Sequence, residues 1–284
     1  FFAPYTMSLR YSSMQMSSLS VLKTFVSSGS AFKIIYTTSN GPIINNLTSR
    51  VLILDSSFNP PHFGHAALVK KSILYRFPEK SNVSTSTINR KSVLLLLSLK
   101  NADKKSADLR NYAERLDMIQ LLASHISADY GIACSIGLTD KSLFAEKINA
   151  ISEELNKPEV KYTFLLGFDT LVRLLDPKYY PGQSVSSALK PLFSNSDCFI
   201  LSRDDKKYTQ EEQRKYVQRF ESPDSKIAIS SGLTRHLYLE KGDGPSLSIS
   251  SSEIRSLIES RKEDWKKYTY LDIADYIVEN DLYN

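Results

Sequence analysis

The chain has 284 residues, 42% hydrophobic and 24% charged, which supplies a sizeable core and suits one or two domains. Its formal charge of +5 is uneven: residues 1–54 carry Arg10, Lys23, Lys33 and Arg50 and no acid, whereas the other 230 carry 32 basic and 31 acidic side chains. That near-neutral body argues against a nucleic-acid partner, two cysteines exclude a disulfide framework or a cysteine zinc site, and the apolar run Val93–Leu97 is far short of the ~18 residues of a membrane span.

Taken in order, residues 1–49 read as an N-terminal extension with a short helix near Leu19–Val26 and a strand over Phe32–Thr37. The expected compartment is the cytoplasm, with the nucleus as a further location. The acid-free, Ser-rich start supports a mitochondrial signal as the lesser reading. From residue 50 to 284, strand-like and helix-like runs alternate. Val51–Leu54 is a short apolar strand, a helix follows from Gly64 to about Arg76, and Ser92–Leu99 is a continuous apolar strand of the kind covered on both faces. Tyr112, Leu116, Ile119, Ala123 and Ile126 form one helical stripe, and Phe144, Ile148, Ile151 and Leu155 another, on either side of a strand at Ile132–Leu138. Strands are predicted at Lys161–Leu166 and Asp197–Ser202, and helices at Ile254–Ile258 and Leu271–Val278. Asn82–Asn89 and Pro177–Pro191 read as surface insertions. The pattern predicts an α/β fold: one Rossmann-like, doubly wound parallel sheet with helices on both faces.

In such a sheet, ligands bind beyond the carboxyl ends of the strands, where the strand order reverses. The loop after the first strand of the body reads Asp55-Ser56-Ser57-Phe58-Asn59-Pro60-Pro61-His62-Phe63-Gly64-His65. Two imidazoles at the start of a helix, whose first N–H groups are unpaired, make a site for a polyphosphate. Neither Glu nor Cys lies nearby to complete a zinc set, so no protein-bound metal is expected. Further along, Ser250-Ser251-Ser252-Glu253 has the form of a capping box. Capping alone would explain it, but Arg255 just beyond opposes the helix dipole and points to a bound anion. Asp169, after a buried strand and Gly167, could bond sugar hydroxyls.

Ser-Phe-Asn-Pro-Pro-His-x-Gly-His resembles the signature of the H-x-G-H nucleotidylyltransferase superfamily, and within it the nicotinamide and nicotinate mononucleotide adenylyltransferases, particularly their divergent fungal branch. The likeness continues through Lys104 placed eleven residues before the Arg115-Leu116-Asp117-Met118 helix, Gly167-Phe168-Asp169-Thr170-Leu171, Arg203 after a strand, and Ile249-Ser250-Ser251-Ser252-Glu253-Ile254-Arg255. It implies that His62 and His65 meet the phosphates of ATP, His65 nearest the α-phosphate, and that Lys104 and Arg255 hold the triphosphate and the departing pyrophosphate. It also implies that Ser57, Phe58 and Asn59 line the mononucleotide side, that Gly167 and Asp169 meet a ribose, and that Arg203, Ser251 and Ser252 contribute to substrate binding. ATP and nicotinamide mononucleotide are the implied partners, with Mg²⁺ carried on the ATP phosphates.

The chain departs from the family in three places. Asp55-Ser56 stands where two glycines are usual, Lys104 lacks the preceding Pro-His, and the single Trp265 is far from any argued stacking site. Two other functions therefore stay open. One is a sister adenylyl- or cytidylyltransferase acting on pantetheine phosphate, FMN or a phospho-alcohol. The other is a nucleotide-binding regulatory module with weak ATPase activity.

Overall fold

A computed structural model describes residues 17–38, 42–78, 90–99, 108–204, 208–219, 234–242 and 249–284. Lys104 and the Asn82–Asn89 insertion lie outside these. The strands are β1 (Phe32–Thr37), β2 (Arg50–Asp55), β3 (Lys91–Ser98), β4 (Cys134–Thr139), β5 (Lys161–Gly167), β6 (Ser196–Ser202) and β7 (Leu237–Lys241). They form one sheet in the order β1-β4-β3-β2-β5-β6-β7, parallel except for β1.

The helices are α1 (Ser18–Ser28), α2 (Phe63–Leu74), α3 (Leu109–Tyr130), α4 (Phe144–Leu155), α5 (Phe168–Leu174), α6 (Val185–Asn195), α7 (Gln210–Gln218), α8 (Ser251–Glu259) and α9 (Leu271–Glu279). They bury two separate cores, one on each face. In β2, Leu52 and Leu54 enter the core shared with α1, α2, α3, α8 and α9, while Val51 and Ile53 enter the one shared with α4, α5 and α6. Val93, Leu95 and Leu97 of β3 alternate with Leu94 and Leu96 in the same way. Both faces of each central strand are thus covered, which is why these runs are uninterruptedly apolar. The doubly wound architecture is the one the alternation of elements predicts.

Three differences have physical reasons. β1 pairs antiparallel with β4 as an edge strand, and its Phe32 ring fills the space above Gly137, where a Cβ would stand 2.6 Å from that ring. α1 packs on α3, and Ser18 and Tyr276 both donate to the Asp117 carboxylate, so the described part of the N-terminal stretch joins the same body. The Pro177–Pro191 stretch is not simply a surface insertion. Its second half opens α6, which buries Val185, Ala188 and Leu189 and, beyond the stretch, Leu192 and Phe193, while Pro191 sits on the exposed side. A proline inside the helix disguised an apolar stripe.

The chain leaves β2 toward β3 and β4 on one side, and resumes at β5 on the other, continuing to β6 and β7. The order reverses between β2 and β5. Their carboxyl ends, Asp55 and Gly167, therefore flank the switch-point crevice.

Candidate active site

A cavity of about 890 Å³ opens at this crevice. Of the residues expected there, Ser57, Asn59, His62, His65, Gly167, Asp169, Arg203, Ser251, Ser252 and Arg255 line it. Phe58 does not: it is fully buried behind the wall, its ring centroid 5.1 Å from that of His65. It holds a left-handed backbone (φ 46°), a strained state for a bulky residue that the turn into the site requires.

His62 is the N-cap of α2. Its Nδ1 accepts the Gly64 N–H at 3.0 Å, and the Nδ1 of His65 accepts the His62 N–H at 3.1 Å, a capping box built from two imidazoles. Two donors of the first helical turn are satisfied in this way. Gly64 serves this geometry, since a Cβ there would fall 2.7 Å from the His62 ring. In the structure the His62 ring fills the room beside Gly64.

Because each Nδ1 accepts a backbone proton, each neutral ring carries its own proton on Nε2. Burial, reinforced by the Arg203 charge, lowers the His62 pKa to about 3. Burial, then His62 and Arg203, holds His65 well below the usual histidine range. In the ligand-free protein both are therefore neutral N–H donors, and the positive charge comes from arginines.

Two of those arginines are held from α8 and from the end of β6. Arg255 sits in the second turn of α8, slightly deeper than the sequence places it, and donates from Nη1 to the Asn59 carbonyl at 2.6 Å and from Nη2 to Ser252 Oγ at 3.3 Å. Ser250 caps α8 and Glu253 closes the predicted capping box by accepting the Ser250 N–H at 2.9 Å. Ser251 donates to the Pro60 carbonyl at 2.9 Å, fastening α8 to the histidine loop. Arg203, just past β6, donates to the Ile249 carbonyl at 3.3 Å. Asp169 is exposed on the first turn of α5, 3.6 Å from Arg173.

Sequence reasoning passed over several lining residues. Arg115, used there as a spacing mark, lines the cavity with a buried Nε that makes no hydrogen bond. Its guanidinium lies 4.8 Å from the Tyr112 ring, and burial, with Arg255 adding to it, lowers its pKa. Asn111, one turn earlier, presents a buried Oδ1 that likewise lacks a partner. Tyr283 donates to Asn59 Oδ1 at 2.7 Å, tying the C-terminal segment to the loop. Asp55 does not confront the cavity as a bare anion. Lys147 of α4 pairs with its Oδ2 at 2.5 Å, and Ser98 donates to its Oδ1 at 2.9 Å. The signal for Lys147 was a cation beside the apolar stripe of α4, directly before Ile148.

No family model matches the chain. A protein of Schizosaccharomyces pombe provisionally named a nicotinamide mononucleotide adenylyltransferase is 35% identical over 169 residues, spanning 60% of this chain and 59% of that relative's length. The resemblance to the nucleotidylyltransferase superfamily is supported by this relative. Two solved structures of Plasmodium falciparum nicotinic acid mononucleotide adenylyltransferase, complexed with APC and with NaAD, are 14% and 16% identical, at TM-scores of 0.48 and 0.47. Each likeness covers 83% of this chain and 97% of the other.

Proposed function

We propose that this chain is a nucleotidyltransferase that moves the adenylyl group of ATP onto nicotinamide mononucleotide, forming NAD and pyrophosphate. One observation carries the reading. Two neutral histidines capping a helix share a switch-point cavity with Arg115, Arg203 and Arg255, which is the donor set a triphosphate requires. Its chemistry needs little else. A phosphate oxygen of the mononucleotide attacks the α-phosphorus of ATP in line, a new P–O bond forms, and the bond to the bridging oxygen breaks, its electron pair leaving with pyrophosphate. The nucleophile is already ionised, so catalysis reduces to positioning and to neutralising charge as it moves toward the leaving group.

In this reading His62 donates Nε2–H to the phosphates, His65 serves the same phosphates from beside it, and Arg203 and Arg255, with Lys104, hold the triphosphate. Ser57 and Asn59 face the mononucleotide, Gly167 and Asp169 a ribose. Mg²⁺ rides on phosphate oxygens and water, where it shields charge; Asp55, the carboxylate nearest the histidines in sequence, is already taken by Lys147.

The deciding experiment gives the full chain ATP and Mg²⁺ with nicotinamide mononucleotide, nicotinate mononucleotide, pantetheine phosphate, FMN or a phospho-alcohol in turn. A dinucleotide and pyrophosphate are expected with nicotinamide mononucleotide. Product with FMN or pantetheine phosphate instead would move the chain to a sister activity, and ATP binding without transfer to any of them would make it a regulatory module.

A further inference from the structure

The hydroxyl of Ser56 stands 2.9 Å from the Nε2 of His65. The direction of that bond follows from the other side of the ring. His65 Nδ1 receives the His62 N–H, so it cannot carry a proton in the neutral ring, and the proton must sit on Nε2. Ser56 Oγ is therefore the acceptor. Its own proton is left without an acceptor among the described residues, and Ser56 and His65 both line the cavity. The backbone N–H of Ser56 is bonded to the Leu96 carbonyl at 3.3 Å, which fixes the residue at the end of β2.

From this geometry we infer that Ser56, not His65, is the group that touches the phosphate oxygen, and that His65 acts through it. The imidazole N–H polarises the hydroxyl, and the hydroxyl proton is donated to the incoming polyphosphate as a hydrogen bond. No proton leaves either group. The inference rests on the reading of the cavity as a triphosphate site. It also accounts for Asp55-Ser56 at positions where the resembling family has glycines. Ser56 fills the gap between imidazole and ligand with a donor of its own, while the Asp55 carboxylate is neutralised by Lys147.

The two obvious substitutions separate this role from a structural one. In Ser56→Ala the methyl group keeps the ligand away from His65 and offers no donor. In Ser56→Gly the ligand can approach Nε2–H directly. A strand-end packing role predicts the opposite order, because glycine at the end of a strand is the more disruptive change. Binding of inorganic tripolyphosphate and kcat for adenylyl transfer should each fall at least ~10-fold in Ser56→Ala and recover most of that loss in Ser56→Gly. In ¹⁵N-histidine spectra of the ligand-free protein, the Nε2 resonance of His65 should shift in both variants. Equal losses in the two variants, losses larger in glycine, or wild-type binding in alanine would each overturn the inference, as would a wild-type protein that does not bind tripolyphosphate. Should the wild type bind it and transfer nothing, the proposed activity fails while the alanine-against-glycine order in binding still decides the role of Ser56.

Discussion

The two ends of the sheet bury similar residue types to opposite effect. At the amino ends of the strands, Arg50 Nη1 donates to Asp197 Oδ2 at 2.9 Å and to Thr163 at 2.6 Å, and His236 Nδ1 lies 2.7 Å from Asp197 Oδ1. Lys91 there donates to the carbonyls of Ser72, Ile73 and Tyr75. Each carboxylate oxygen of Asp197 has its own cationic or imidazole partner. At the carboxyl ends, Lys147, Arg115, Arg173, Arg203 and Arg255 line a cavity with Asp55, Asp108 and Asp169, five cations against three carboxylates among the described residues. Asp55 is already paired there, while Arg255 and Arg203 donate to carbonyl oxygens and the Arg115 Nε has no hydrogen bond. At the amino ends the Asp197 carboxylate is fully partnered inside the fold; Lys91, like Arg203 and Arg255 at the other end, is held by carbonyl oxygens, and the Arg50 Nε, like the Arg115 Nε, has no hydrogen bond. At the carboxyl ends the cations line an open cavity, and that contrast is what the substitutions below set out to break.

The largest effect belongs to the open end. His65→Ala removes the imidazole that caps α2 and contacts Ser56, and should lower kcat for adenylyl transfer by at least ~100-fold, the scale of losing one preorganised donor. Pyrophosphate release under saturating ATP measures it. At the closed end, Asp197→Asn leaves Arg50 buried without its counter-charge and should cost about 3–5 kcal/mol in denaturant unfolding, with turnover per folded molecule unchanged.

A smaller effect follows from pH. The unfolded chain protonates its histidines below about 6.5, whereas His62 in the folded protein stays neutral down to about 3. More protons then bind the unfolded state, so stability falls as pH drops through that window, by about 2 kcal/mol at pH 5 from His62. His62→Asn keeps a helix-capping side chain and does not titrate, so its stability should fall less between pH 7 and 5. An equal fall in both proteins would place the acid sensitivity elsewhere.

Smallest of all in stability is Arg115→Gln. Removing a half-buried cation whose Nε has no hydrogen bond among the described residues should leave unfolding free energy within ~1 kcal/mol, while tripolyphosphate binding weakens several-fold. A stability loss as large as that of Asp197→Asn would show that both ends are structural.

Most of the site was legible in the sequence because its backbone is built from short local signals. Pro60-Pro61-His62-Phe63-Gly64-His65 after an apolar strand announced the helix N-terminus, and Ser250 with Glu253 announced the second. The strands β2 to β6 were legible for a related reason, since burial on both faces leaves an apolar run with no ambiguity of side. What was hidden depends on long-range pairing. Lys147 and Asp55 are 92 residues apart in sequence, and the cation reads as surface until the sheet brings the carboxylate to it. Arg115 was visible as a spacing and invisible as a wall, because its helix stripe is defined by the neighbouring apolar positions. Phe58 went the other way, an aromatic in a loop that turned inward. β7 is a short edge strand without a buried residue, and α7 buries only Gln213 and Val217, so neither has a strong periodic signal.

The chain has four histidines, His62, His65, His125 and His236, two at the open end and one at the closed end. Titrating the ¹⁵N-histidine-labelled protein with inorganic tripolyphosphate therefore reads both ends in one spectrum. The account predicts that the resonances of His62 and His65 move together and saturate, while those of His236 and His125 stay in place. Saturating shifts at His236 with His62 and His65 unmoved would contradict it.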